Sequence, residues 1–431
     1  MLYAILQICF ILFYEYFFYA WNKESFVRRV TQELAKKNIL YVKVFQAISF
    51  NINFIDESLN TELLTFTDCV PYCEEDVDFI LLEKIKFIYH LRFDSFAPIN
   101  AGMISLVYKV TKEDGTFAIL KVKRKNVDIK LNAAIDQFKW ISYISSLIPF
   151  LKRMNIPSVI EKTLMHMKEQ TNFLQEIQNT IEMKEKCKHL DYVKVPEIYP
   201  DITQQFPDVI LMEYIDGKHI REIDEADYEI YSKQVIKYGI VSAFIIGFIH
   251  ADLHSGNILF IKEEGEKREG VDGHVYKIAP IDFGLVTTIK DSTKKLLMNI
   301  MFELFTGDPD ISARKTINTL FDPPDLKNNI PHHLYEKFVT LVSTNIKNTI
   351  DIKKGVSQIF LYNFFIQFND FLSNKELKQY NIKINEDFSK IQTAIAMANG
   401  ISMALCKENF IEFTNSVTND LLHVSLFVPD E

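Results

Sequence analysis

Three oxygen-bearing side chains stand at a spacing suited to phosphoryl chemistry. Asp252 lies in His250-Ala251-Asp252-Leu253-His254-Ser255-Gly256-Asn257, and Asp282 opens Asp282-Phe283-Gly284. A carboxylate at the end of a short loop can accept the proton of a hydroxyl or a water. Asn257 offers a neutral oxygen to a cation and Asp282 a charged one. Magnesium prefers such hard donors and shares its other positions with phosphate oxygens. Each tripeptide alone carries little information. Their order, with a strand pair expected between them, is the arrangement that holds magnesium on ATP. The chain is therefore expected to be built around ATP and Mg2+.

The intervening residues predict the elements that position this set. Asn257–Ile261 reads as a strand, Lys262–Gly273 as a polar loop, and Val275–Ile281 as the return strand that delivers Asp282. Upstream, Leu106–Val110 and Phe117–Val122 are β-rich and flank Glu113-Asp114-Gly115-Thr116, a strong hairpin signal. Lys121 on the second of these strands is placed to reach phosphates. Glu176 on a following helix is placed to pair with it. Residues 24–90, 126–153 and 159–188 read as helical, and the chain after Gly284 as helical to about residue 424. Val209–Tyr214 is a short apolar strand. The expected fold class is α+β: a small β-rich N-lobe and a large helical C-lobe, with a nucleotide between them and a helical extension in front. The expected divisions are a hydrophobic segment 1–22, the extension 23–90, the N-lobe with inserted helices 91–214, and the C-lobe 215–431.

Composition narrows the class. The 431 residues are 48% hydrophobic with 35 Phe, enough for a sizeable core. The net charge of −9 and the lack of basic clusters interleaved with aromatics exclude nucleic acid as an expected partner. Five scattered cysteines, Cys9, Cys69, Cys73, Cys187 and Cys406, point to free thiols in a reducing compartment. Leu2–Trp21 is almost wholly apolar and long enough for a bilayer, which takes about 20 residues. Arg28, Arg29, Lys36 and Lys37 follow it. Glu15 within it is costly in lipid unless paired. The segment is either a membrane-contacting element or a buried aromatic helix, and membrane association is the expectation carried forward.

These pieces, in this order, resemble the UbiB/ADCK family of atypical kinases, from about residue 26 to the C-terminus. His250–Asn257 is similar to the family's H-A-D-P-H-P-G-N. Asn100-Ala101-Gly102-Met103 sits where the family carries an alanine-rich loop. Phe173–Asn179 looks like its E-A-x-N helix, with Glu176 as the ion-pair residue. Tyr41–Gln46 looks like the K-x-G-Q motif, and Asp68-Cys69-Val70-Pro71 like the D-x-V-P that follows it. The resemblance implies a protein-kinase-like fold whose extension, through Lys43 and Gln46, lies over the active site and restricts protein substrates. It also implies a link to coenzyme Q and lipid metabolism, hence a small-molecule, lipid or isoprenoid-like acceptor.

Several positions depart from that pattern. Gly102 and Met103 replace an alanine and a serine, and Phe45 replaces the K-x-G-Q glycine. Gln170-Thr171-Asn172 stands where the family has E-x-D. An amide keeps the hydrogen-bonding shape of a carboxylate and loses its charge, which weakens any Lys43 salt bridge there. No arginine precedes Asp252 and no A-P-E follows Gly284, which argues against activation by loop phosphorylation. The expected activity is that of an ATP-dependent phosphotransferase or ATPase. Asp252 orients the acceptor, and Lys121 and Glu176 position phosphates. Ala101 and Gly102 cover the phosphates, Glu213 and Tyr214 meet adenine through their backbone, and Asn257 and Asp282 hold magnesium. The alternatives are a nucleotide-binding scaffold with little catalysis and, third, a protein kinase.

Overall fold

The computed structural model describes residues 2–19, 21–38, 40–51, 72–147, 156–265, 273–295, 308–323, 325–349, 375–380 and 382–406. Asp68–Pro71 falls outside them. The chain forms two compact units. The first comprises Met1–Lys184, Pro196–Ile215 and Asp282–Leu285, and the second Glu185–Val195, Asp216–Ile281 and Val286–Glu431.

The first unit opens with α1 (Leu2–Tyr19), α2 (Lys23–Lys37) and α3 (Leu40–Asn51). Asn22 caps α2, its side chain accepting from the Ser25 N–H. Ile8 and Ile11 of α1 join Phe26, Val27, Val30 and Leu34 of α2 in one core. Glu15 is buried and its carboxylate meets Arg29 Nε at 2.7 Å, which supplies the partner that a charge in an apolar helix requires. The opposite face of α1 exposes Leu6, Phe10, Phe13 and Phe17. Among the described residues, no helix is long and apolar enough to cross a membrane.

After α4 (Phe79–Ile88) comes a sheet of β1 (Arg92–Phe93), β2 (Asn100–Ala101), β3 (Ser105–Thr111), β4 (Phe117–Lys123) and β5 (Val209–Glu213). The order is β1-β3-β4-β5, with β2 also paired to β3. The β3–β4 turn is where the Asp-Gly pair places it. Gly115 takes φ +83, a left-handed conformation that glycine adopts without strain, and Asp114 Oδ1 accepts from the Thr116 N–H at 2.9 Å. Ser105 pairs with Lys123, and Val107 with Lys121. Period-2 alternation turns Ala118, Leu120 and Val122 into one core and leaves Ile119 and Lys121 on the other face. Ile119 packs there against Phe173, Ile177, Ile210 and Met212. Helices α5 (Val127–Leu147) and α6 (Ile156–Glu169) precede α7 (Phe173–Cys187). The helix expected over 159–188 is thus two, because Asn172 caps a new start: its Oδ1 accepts from the Gln175 N–H at 3.1 Å, and its backbone oxygen from the Glu176 N–H at 3.0 Å. A short α8 (Pro200–Gln205) completes this part of the chain.

In the second unit α9 (Tyr228–Ile240) continues into a wider π turn, Val241–Ile246, that ends at Gly247 with φ +70. That left-handed φ is one that other side chains rarely adopt, so this reversal into β6 (Phe248–His250) favours glycine. The hairpin of β7 (Ile258–Glu264) and β8 (His274–Pro280) pairs Ile258 with Pro280 through Glu264 with His274. β9 (Val286–Thr288) pairs with β6. This strand lies where the sequence reads as helical after Gly284. Helices α10 (Pro309–Leu320), α11 (Leu326–Asn329), α12 (His332–Thr349), α13 (Lys375–Lys378) and α14 (Glu386–Leu405) follow, with the two-residue strands β10 (Phe321–Asp322) and β11 (Lys383–Ile384) paired. Ala313, Ile317, Phe338, Val342 and Ile391 are central to their core.

Cys187 is buried in this unit, and burial pushes its thiol up to about 12. Since the unfolded chain releases this proton near 9.0 and the folded one keeps it, stability is expected to fall as pH rises from about 9 towards 12. At pH 8, mass spectrometry after thiol alkylation should find exposed Cys73 modified and Cys187 intact. Equal labelling of the two would show that Cys187 is accessible.

Candidate active site

Lys121 is the centre of a buried charge cluster in the first unit. Its ammonium lies 2.7 Å from Glu176 Oε1 and 2.8 Å from Asp282 Oδ2. The Lys121 side chain is 12% exposed, Glu176 3% and Asp282 32%. Three elements converge: the inner face of β4, the first turn of α7, and the Asp-Phe-Gly segment. Each is fixed locally. Phe173 and Ile177 flank Glu176 and anchor α7 on the sheet. Phe283 is fully buried and its carbonyl accepts from Asn179 Nδ2 at 2.9 Å, while Asp282 Oδ1 accepts from the Gly284 N–H at 2.9 Å. Asn179 is itself oriented by Gln175, whose Nε2 donates to Asn179 Oδ1 at 2.9 Å.

One ammonium thus faces two carboxylates. Burial alone would lower the Lys121 pKa, but Asp282 and Glu176 outweigh it and hold the ammonium charged. Burial pushes the Glu176 carboxyl up to about 7, opposed by attraction to Lys121 and reinforced by repulsion from Asp282. Glu176 Oε2 is buried with no hydrogen-bond partner among the described residues. It lies 3.6 Å from where a Cβ on Gly284 would stand.

Asp252 and Asn257 belong to the second unit. Their loop is held by main-chain contacts: the Asp252 N–H donates to His250 Nδ1 at 3.2 Å, and the Gly256 N–H to His254 Nδ1 at 3.1 Å. Asn257 Nδ2 donates to the Asp252 carbonyl at 3.0 Å. The Asn257 carbonyl accepts from the N–H of Ile281, the residue before Asp282, at 3.0 Å. These contacts give the eight-residue motif its shape from His250 to Asn257. Among the described residues there is no cluster of three or more His, Cys, Asp or Glu able to cage a metal. Asn257 in the second unit and Asp282 in the first each carry an oxygen of the hard kind that magnesium takes beside phosphate oxygens and water.

The remaining candidates are placed as follows. Ala101 is buried at the end of β2, with its N–H on Asn100 Oδ1 at 2.7 Å, and the Gly102 N–H donates to the Ser105 carbonyl at 2.9 Å. Both amides therefore close the turn itself. Glu213 ends β5 with its N–H on the Glu197 carbonyl at 2.8 Å, and the Tyr214 ring lies beside Phe117 with Lys109 Nζ 4.0 Å from its centroid. Lys43, on α3, donates to Gln170 Oε1 at 3.2 Å, a hydrogen bond to an amide where the family pattern has a carboxylate. Position 46 is in α3, and its side chain is outside the described residues. Sequence reasoning missed Asp76 and Arg124, a buried pair at 2.8 Å. The only signal was a charged run at the end of β4, which reads equally well as solvated.

Residues 66–315 match the ABC1 atypical kinase-like domain. A probable protein kinase UbiB of Shewanella oneidensis is 25% identical over 282 residues, covering 62% of this chain and 49% of that protein. An uncharacterized aarF domain-containing chloroplast protein kinase of Arabidopsis thaliana is 23% identical over 378 residues, covering 85% of this chain and 49% of that protein. The chain spans about half the length of these curated relatives. Among solved structures, Rv3197 of Mycobacterium tuberculosis, determined with erythromycin, aligns with a TM-score of 0.46 at 14% identity, covering 88% of this chain and 90% of that one. The Rio2 kinase of Chaetomium thermophilum aligns at 0.29 with 15% identity, covering 59% and 74%.

Proposed function

Because the chain belongs to the ABC1 atypical kinase-like family and has its α+β, kinase-like fold, we propose that it binds magnesium-ATP and hydrolyses it or transfers its phosphate to a small-molecule or lipid-related acceptor. The observation that carries this reading is the Lys121–Glu176–Asp282 cluster, which presents a fixed, charged ammonium beside a carboxylate of the Asp-Phe-Gly segment. In this reading Lys121 binds phosphate oxygens and Glu176 keeps its ammonium in place. Asp282 and the Asn257 amide oxygen hold magnesium, which supplies charge neutralisation on the phosphates. Asp252 accepts a hydrogen bond from the attacking water or hydroxyl and takes up its proton. Glu213 and Tyr214 meet adenine through their backbone. Lys43 and Gln46, in the extension, restrict large acceptors. The test is magnesium-dependent ATP hydrolysis by the purified chain, with and without lipid vesicles. Binding without turnover favours a nucleotide-binding scaffold, and no binding sinks both readings.

We also propose that α1 contacts a lipid surface without crossing it. Leu6, Phe10, Phe13 and Phe17 share one face by helical spacing, and Phe10, Phe13 and Phe17 are about two-thirds or more exposed. Changing these three phenylalanines to Gln leaves the inward face of Ile8 and Ile11 intact. It is expected to weaken vesicle co-sedimentation at least tenfold, since each buried aromatic contributes on the order of 1 kcal/mol or more. Equal sedimentation of variant and wild type would refute the contact.

A further inference from the structure

We propose that Arg124 is a positioning residue for nucleotide phosphates: anchored by Asp76, its guanidinium fixes the Gly102 carbonyl and so sets the phosphate-covering turn relative to Lys121. The inference rests on the nucleotide reading and adds Arg124 and Asp76 to it. Arg124 follows β4 three positions after Lys121. Its Nε donates to the Gly102 carbonyl at 2.9 Å and its backbone N–H to the Ile104 carbonyl at 2.9 Å. One residue thus grips the turn twice, from the strand that carries the phosphate-binding lysine.

The guanidinium is itself held. Arg124 Nη1 lies 2.8 Å from Asp76 Oδ2, with the two side chains 4% and 7% exposed. Asp76 Oδ1 accepts from Lys130 Nζ at 2.8 Å, and its Oδ2 from the Cys73 N–H at 3.2 Å. The Asp76 carbonyl accepts from the Lys125 N–H at 2.8 Å. Arginine suits this task because its planar fork serves the carboxylate with one nitrogen and the carbonyl with another. Lysine has a single nitrogen at the end of a flexible stem.

The turn is pinned from its other side as well. Met103 and Ile104 are buried in the same core as Phe26, Val30 and Leu34 of α2 and Leu40 and Val44 of α3. Met103, which takes the place of a serine in the family pattern, therefore works as an apolar anchor. The Gly102 turn is built as a rigid bracket, gripped by Arg124 and by the core of the extension. A flexible phosphate flap would need neither grip.

Titration of ATP and of adenosine against the full chain separates positioning from mere folding. Arg124→Lys should lose about tenfold in ATP affinity, or about 1.4 kcal/mol, with adenosine affinity within about twofold because a nucleoside has no phosphates to misplace. Asp76→Asn keeps an acceptor oxygen for the arginine. It should show the same selectivity at about threefold, as expected when a charge-assisted hydrogen bond becomes a neutral one, and it carries the test if Arg124→Lys does not fold. Parallel loss of ATP and adenosine, or loss of neither, overturns the assignment of Arg124. A wild-type chain that binds neither ligand overturns the nucleotide reading instead.

Discussion

Asp252→Asn is expected to lower magnesium-dependent ATP turnover by about 10²–10⁴-fold, the range for removing a general base. The contacts that shape this loop make the experiment clean. His250 Nδ1 receives the Asp252 N–H, and the Asp252 carbonyl receives Asn257 Nδ2. Both use the main chain of residue 252 and are indifferent to a carboxylate becoming an amide of equal size. Asn257 therefore keeps its hydrogen bond to the Asp252 carbonyl, and ATP affinity should stay within about twofold while kcat falls, the signature of an interaction made in the transition state. Single-turnover hydrolysis alongside ATP titration gives both quantities. Equal turnover by wild type and Asp252→Asn would remove Asp252 from the chemistry and leave a nucleotide-binding scaffold as the better reading.

What could be read in advance followed the range of the interactions involved. The hairpin at Asp114-Gly115 was legible because its geometry is set by a glycine at φ +83 and an aspartate side chain two residues from its partner. Lys121 and Glu176 were legible as a pair only with Asp252, Asn257 and Asp282 in place downstream, since one lysine and one glutamate alone read as two solvated charges. The break before Phe173 was not, since apolar residues recur on both sides of it and the decision belongs to one cap at Asn172. Strand Val286–Thr288 was missed for a different reason: three residues carry almost no periodicity, and their partners in Phe248–His250 lie far away in sequence, with Phe248 paired to Thr288 and His250 to Val286. The Asp76–Arg124 pair joins residues 48 apart, and nothing local distinguishes such charges from solvated ones. The placement of α1 was equally open, because both of its faces are apolar. The Glu15–Arg29 pair and the burial of Ile8 and Ile11 separate its inner face from its outer one.

Lys121→Met tests the charge cluster itself, apart from any activity. Removing the ammonium leaves Glu176, 3% exposed, and Asp282, 32% exposed, as neighbouring carboxylates without their shared cation. Breaking a buried pair in this way costs on the order of 3–5 kcal/mol, and the lower end applies here because Asp282 retains solvent. The loss should depend on pH in a definite direction. Burial already pushes Glu176 up to about 7 against the attraction of Lys121, so without Lys121 its carboxyl rises further. The folded variant then holds a proton that the unfolded chain has released above its ordinary value of 4.5. The folded state binds more protons, and stability falls as pH rises through that window. Thermal unfolding in magnesium-free buffer should therefore separate variant from wild type more widely at pH 8 than at pH 5.5. Adding Glu176→Gln to Lys121→Met should recover most of the stability lost at pH 8, because a neutral amide no longer faces Asp282 as a like charge. A pH-independent loss, or no recovery in the double variant, would mean that the cost arises from lost packing of the lysine stem. With recovery, Glu176 is identified as a group whose charge the fold tolerates only while Lys121 is present, which is the condition for keeping that ammonium fixed and available to a phosphate.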